Sequence, residues 1–131
     1  MRATIGGMEF ELAFTVEAQK KVEEKFGGMD KNHIEQIFDT TDRVKFFNNM
    51  TFMAATLINA GNHREAVRRM AMGEKYEPRE AMTPEQAGAL TAPGEIPELE
   101  RAIIGAINEG NKLTIEIEPL KTKNAEATRS E

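Results

Sequence analysis

The sequence predicts an α+β fold: an N-terminal β-hairpin packed on a mostly α-helical body, closed by a short C-terminal strand. Three observations carry this expectation. Alternating apolar residues follow a Gly-Gly pair at the start of the chain, apolar residues recur at helical spacing through the middle, and one central segment is apolar around most of its circumference.

The hairpin is read over residues 2–14. Gly6-Gly7 supplies the positive φ angles of a tight turn, and Met8, Phe10, Leu12 and Phe14 then alternate with Glu9, Glu11 and Ala13. An isolated hairpin is marginal in water, so its apolar face must pack on helices. Thr15 is a natural N-cap for a helix running to Phe26, with Ala18, Val22 and Phe26 on one stripe and Gly27-Gly28 ending it. Glu17 with Lys21 and Lys20 with Glu24 form supporting pairs four residues apart. Asp30 caps a short second helix carrying Ile34, Ile37 and Phe38.

The third helix is expected from Thr41-Asp42 to Gly61. At 100° per residue, Val44, Phe46, Phe47, Met50, Met53, Ala54, Ala55, Leu57 and Ile58 fill roughly 200° of arc, so this helix should be central and packed on both sides. Lys45, Asn48, Asn49, Thr56 and Asn59 share the remaining arc, with Phe52 among them. Asn62-His63-Arg64-Glu65 reads as a capping box opening a separate short helix that ends near Gly73. A polar loop over 74–82 precedes Thr83-Pro84-Glu85-Gln86, a cap with Pro at the first helical position. That helix is interrupted at Thr91-Ala92-Pro93-Gly94. The last helix runs from Pro97 to about Glu109, with Gly110 as its stop, and Leu113, Ile115 and Ile117 then alternate as a strand.

The domain expectation is one hairpin-plus-helices unit over 1–120, followed by a disordered polar tail over 121–131. Hydrophobic content of 40% with 30% charged residues places the chain among soluble globular proteins. The net charge of −5 argues against a nucleic-acid partner and against an anionic membrane surface. No apolar run approaches the roughly 20 residues that span a bilayer, and no secretory leader pattern is present, so a cytoplasmic location is expected.

No catalytic residue, metal site or cofactor is expected from the sequence. The sequence has no cysteine, and its one serine, Ser130, lies in the tail. The two histidines, His33 and His63, fall in different helices, and the glycine pairs match no phosphate-binding loop. His63 shares a helix face with Ala66, Val67 and Met70, which favours a partly buried structural histidine over a ligand. Partner-binding candidates remain. Arg64 and Arg68, with His63 and Arg69, form a local basic patch suited to an acidic segment. Among the eight methionines, Met50, Met53 and Met70 are expected to fill the core, whereas Met72 and Phe52 fall off the apolar arcs of their helices. Met72 and Phe52 are therefore the candidates for exposed contacts with a partner.

The N-terminal half resembles a known family. Thr4-Ile5-Gly6-Gly7-Met8-Glu9-Phe10-Glu11-Leu12, then Phe14-Thr15-Val16-Glu17-Ala18, the helix Lys20-Lys21-Val22-Glu23-Glu24-Lys25-Phe26-Gly27-Gly28, and the apolar helix from Phe52 to Leu57-Ile58-Asn59-Ala60-Gly61 carry the resemblance. Over about residues 2–70 the chain is similar to the tail assembly chaperones of long-tailed bacteriophages and prophages. The resemblance implies a non-enzymatic role in the host bacterial cytoplasm. The implied partners are the tape measure protein, which is held, and tail tube subunits, which are recruited; Phe52 and Met72, with Phe46 in support, are the expected residues of the groove that would hold the first. It also implies absence from the finished virion and, in many members, a longer form made by a translational frameshift, which here would extend the chain after Lys121. A homo-oligomer is compatible with this role. A head–tail completion or tail terminator subunit is a competing expectation. A regulator using residues 30–61 as a helix-turn-helix is another, disfavoured by the acidic balance and the apolar breadth of the third helix.

Overall fold

The computed structural model describes residues 1–117, with side chains through residue 111. The polar segment 121–131 lies outside the described residues. Strands β1 (Arg2–Ile5) and β2 (Met8–Glu11) pair antiparallel, with Ile5 opposite Met8. Gly6 and Gly7 turn between them at φ 59° and 77°, two positive angles that a two-residue hairpin turn of this twist demands. Helices α1 (Val16–Phe26), α2 (Lys31–Ile37), α3 (Arg43–Ala71), α4 (Pro84–Leu90) and α5 (Ile96–Ile117) follow, with a 3₁₀ turn at Pro93–Glu95 leading into α5. The fold class is α+β, with an N-terminal hairpin against a helical body, as the sequence predicts.

The caps are those expected from local chemistry. Thr15 Oγ1 accepts the Ala18 amide at 3.2 Å, Asp30 Oδ1 that of His33 at 3.0 Å, and Asp42 Oδ1 that of Lys45 at 3.1 Å. Each satisfies an amide that the first turn of its helix would otherwise leave unpaired.

The largest departure from the sequence expectation is α3. It runs unbroken for 29 residues, about 43 Å at the standard rise, where two helices separated at Gly61 were expected. Gly61 keeps helical geometry and acts as a notch. A β-carbon there would stand 2.9 Å from the Glu11 carbonyl oxygen. The notch lets the chain after β2 approach closely enough for the Ala13 amide to donate to the Leu57 carbonyl at 3.1 Å. Glu65, read as part of a capping box, instead pairs with Arg69 at 2.7 Å and Arg68 at 3.2 Å along a continuous helix surface.

Gly110 corrects the second helix boundary in the same way. It does not end α5, and a β-carbon on it would collide with the Phe14 backbone oxygen. The backbone of α5 continues through residues 113–117, where the C-terminal strand was expected. A five-residue alternation carries too little periodicity to tell strand from helix. Extending a formed helix adds one hydrogen bond per residue fixed.

The two notches explain which part of the hairpin segment is buried. Alternation predicted Met8, Phe10, Leu12 and Phe14 on one face with Ala13 on the other. Ala3 and Ile5 of β1 are buried instead, Met8 is half exposed, and Leu12, Ala13 and Phe14 are all buried in succession. The strand ends at Glu11, and residues 11–14 then thread between Gly61 of α3 and Gly110 of α5, enclosed on both sides.

The core gathers Ile5, Leu12, Val22, Ile37, Leu99 and Ile103 around Met50, Met53, Leu57 and Ile58 of α3. As the broad apolar arc predicted, α3 is central, touching β2, α1, α2, α4 and α5. Burial extends even to Asn49 and Thr56 on the expected polar arc. Asn49 is accommodated because its Nδ2 donates to the Ile37 carbonyl at 3.2 Å. The ends of α3 project from the body. Val44 at one end and Val67 and Met70 at the other are exposed, so Met70 does not fill the core as expected. His63 is exposed too rather than partly buried, its Nδ1 lying 3.0 Å from both carboxylate oxygens of Glu17.

Candidate functional site: an apolar groove along α3

An open groove of about 620 Å³ runs beside the first half of α3. Its surface comes from Phe47 and Phe52 of α3, Lys25 of α1, Gly88 of α4, Pro93 of the 3₁₀ turn and Ile96 of α5. A second depression of about 420 Å³ shares Phe47, Pro93 and Ile96 and continues to Arg43 and Pro97. From Arg43 to Phe52 the combined floor spans nine helical steps, about 14 Å.

A cation stands at each end over an aromatic face. Lys25 Nζ is 5.6 Å from the centroid of the Phe52 ring, and the Arg43 guanidinium is 5.5 Å from that of Phe47. Phe52 is held edge-on against Phe26, with ring centroids 5.7 Å apart and planes at 83°. Phe52 is thus a half-buried ring with one side packed on the core and the other on the groove.

The opposite wall is set by one local and one long-range pair of hydrogen bonds. Thr83 and Gln86 form a reciprocal capping box, each side chain accepting the other's amide at 3.0 Å, and so set α4 as the sequence predicts. Asn59 of α3 holds the segment before α4. Its Nδ2 donates to the Met82 carbonyl and its Oδ1 accepts the Met82 amide, both at 2.8 Å. Neither Asn59–Met82 nor Asn49–Ile37 was foreseen, because an asparagine on a helix gives no sign of a partner many residues away.

Glu95 latches the hairpin tip to the groove wall. Its carboxylate accepts amides from Gly6 at 2.8 Å, Gly7 at 3.3 Å and Ala92 at 2.9 Å. These bonds, led by that from Gly6, favour the ionised form and hold the Glu95 carboxyl below the ordinary glutamate value. A pKa lowered by folding contributes stability above the unfolded value of about 4.3, and that contribution is lost as pH falls through the folded value. The Gly6 and Gly7 amides should therefore be protected from hydrogen exchange at neutral pH. After correction for intrinsic rates, protection should drop as pH falls below the ordinary glutamate range. In Glu95→Ala it should be low at both pH values. Equal protection in variant and wild type would remove the latch.

The sequence-derived candidates do not converge on one place. Phe52 lines the groove. Phe46 is buried in the core, 7% exposed, and touches only the far depression, because six residues along a helix separate it from the Phe52 face. Met72 is exposed at the C-cap of α3, twenty residues and about 30 Å beyond Phe52, so it cannot line the same groove. Arg64 and Arg68 are exposed on the second half of α3, beside a different cleft. Phe47, Gly88, Pro93 and Ile96 were not singled out. Phe47 reads as core from its arc, and the others face the groove only through the packing of α4 and α5 on α3.

The groove supplies apolar surface with Lys25 and Glu85 at its wall and Arg43 at the far depression, and the two cations at its ends suit an apolar segment with acidic flanks. Among the described residues no group of three His, Asp or Glu side chains is placed to hold a metal ion, and no helix is long and apolar enough to cross a membrane. Comparison with protein-family models, curated proteins and solved structures finds no match.

Proposed function

We propose that this chain is a tail assembly chaperone of the long-tailed phage type. It holds apolar helical stretches of a tape measure protein before the tail tube encloses them, and it brings tube subunits to that complex. The role is non-enzymatic and is carried out in the host bacterial cytoplasm. The observation that carries the reading is the groove running from Phe52 past Phe47 to Arg43. Its floor of about 14 Å receives between two and three turns of a helix laid along it. Lys25 and Arg43 at its ends favour a segment whose apolar residues are flanked by acidic ones. The net charge of −5 would keep a complex with an apolar partner dispersed.

The burial of Asn49 and Thr56 weighs against reading residues 30–61 as a helix-turn-helix, since a recognition helix needs a free polar face. Sequencing the DNA that flanks the gene tests the proposal. The expected result is a slippery heptamer near the codons after Lys121 and, downstream, a very long reading frame rich in helical heptads. A neighbourhood without virion genes would overturn it.

A further inference from the structure

The second half of α3 carries a separate feature that the apolar groove does not use. Arg2 of β1, Arg64, Arg68 and Arg69 of α3, and Arg79 and Tyr76 of the segment before α4 surround an open cleft of about 510 Å³. The N-terminal strand, α3 and the loop that follows it thus bring five guanidiniums to one place on a chain whose net charge is −5.

The carboxylates at the cleft do not neutralise it. Only Glu9, Glu11 and Glu65 line it. Glu9 pairs with Arg2 at 2.8 Å, and Glu11 is divided between Arg2 at 3.6 Å and the N-terminal ammonium at 2.7 Å. Glu65 pairs with Arg69 and Arg68, and the hydrogen bond from Arg69, foremost, holds its carboxyl below the ordinary value. Arg69 also lies over the Tyr76 ring, 5.0 Å from its centroid. Arg64 and Arg79 have no ion pair among the described residues. Arg64 acts on Glu65 only at longer range, so two guanidiniums without an ion pair face a cleft that also offers an aromatic ring and the half-buried Phe10.

We infer that this cleft is a docking site for an acidic peptide segment of a partner protein, its carboxylates meeting Arg64 and Arg79 and its apolar side chains resting on Tyr76 and Phe10. Guanidinium forks match carboxylates in two-bond geometry. The interleaved Glu9, Glu11 and Glu65 favour a partner with spaced charges over a nucleic-acid backbone with a charge at every step. The inference is independent of the apolar groove and stands or falls apart from it.

The test is fluorescence anisotropy of the full chain with a fluorescein-labelled decapeptide of alternating Glu and Leu. Binding should weaken at least about fivefold between roughly 50 and 300 mM salt, as exposed charge pairs are screened. It should fall about tenfold or more in the double variant Arg64→Glu/Arg79→Glu, and in wild type when Gln replaces every Glu of the peptide. Both substituted arginines are exposed and unpaired, so the circular dichroism spectrum should be unchanged. Equal binding by the double variant, or tighter binding of a single-stranded oligonucleotide of the same charge, would overturn the inference. So would self-association of wild type that the double variant abolishes, since a second copy would then be the occupant.

Discussion

Replacing Gly61 and Gly110 together by alanine should cost a large share of the stability of this fold. In an ordinary helix interior, glycine to alanine gains about 0.5–1 kcal/mol. Here the sign should reverse. The new β-carbon at position 61 would stand 2.9 Å from the Glu11 carbonyl oxygen, and the one at 110 would meet the Phe14 carbonyl oxygen more closely still. Both obstacles are backbone, so neither can rotate away. Overpacking of this kind costs about 1–3 kcal/mol per site. At position 61 it also strains the Ala13-to-Leu57 hydrogen bond, worth about 1 kcal/mol. Both substitutions press on residues 11–14 from opposite sides, so their effects should not simply add. A loss of about 3–6 kcal/mol from a typical total of about 5–15 kcal/mol would be read as a large drop in the urea midpoint. Gly88→Ala is the internal control. Its β-carbon would lie 3.7 Å from Thr51 Cγ2, an ordinary contact, so this variant should gain the usual helix increment. Stabilisation by all three substitutions would mean that residues 11–14 are not clamped.

The second large effect concerns the groove. Phe52→Asp should reduce binding of an apolar helical peptide with acidic ends by about tenfold or more, the size expected for loss of a central aromatic anchor. The substitution also removes the contact with Phe26 and part of the core packing of Phe52, so binding must be read beside a second variant. Gly88→Leu serves, because Gly88 is exposed on the groove wall with open space beyond Thr51. A leucine there fills the groove without entering the core and improves the helix propensity of α4. It should abolish peptide binding while the thermal midpoint stays level or rises. Full-strength binding in Gly88→Leu would place the peptide elsewhere.

Local chemistry was legible in the sequence wherever a residue acts on its neighbours. Thr15, Asp30, Asp42 and Thr83 cap helices as their positions imply, Gly6-Gly7 makes the hairpin turn, and the apolar breadth of residues 44–58 announces a central helix. What was not legible lies in contacts between distant segments. Gly61 and Gly110 look like helix stops, because a glycine that ends a helix and one that admits a neighbouring backbone are the same letter. The run Leu12-Ala13-Phe14 looks like alternation until two helices enclose it. Met70 looks like core until the end of α3 proves to project beyond the body. The groove suffered most. Phe52 could be found as an aromatic on a polar arc, but Gly88, Pro93 and Ile96 become its neighbours only through the docking of α4 and α5. Phe46 and Met72 were grouped with it by residue type, and the geometry of one long helix separates them. For the basic patch the sequence offered Arg64 and Arg68 on one helix turn, while Arg2 and Arg79 join them only in the fold.

Co-expression of this chain with the long, heptad-rich protein that the proposed function expects downstream of its gene tests the chaperone role, read as the fraction of that protein recovered in the soluble lysate. The long protein should be insoluble alone, soluble and co-purifying with the wild-type chain, and insoluble again with Gly88→Leu. A long protein that stays insoluble beside the wild-type chain, or a solubility indifferent to a filled groove, would contradict the chaperone role.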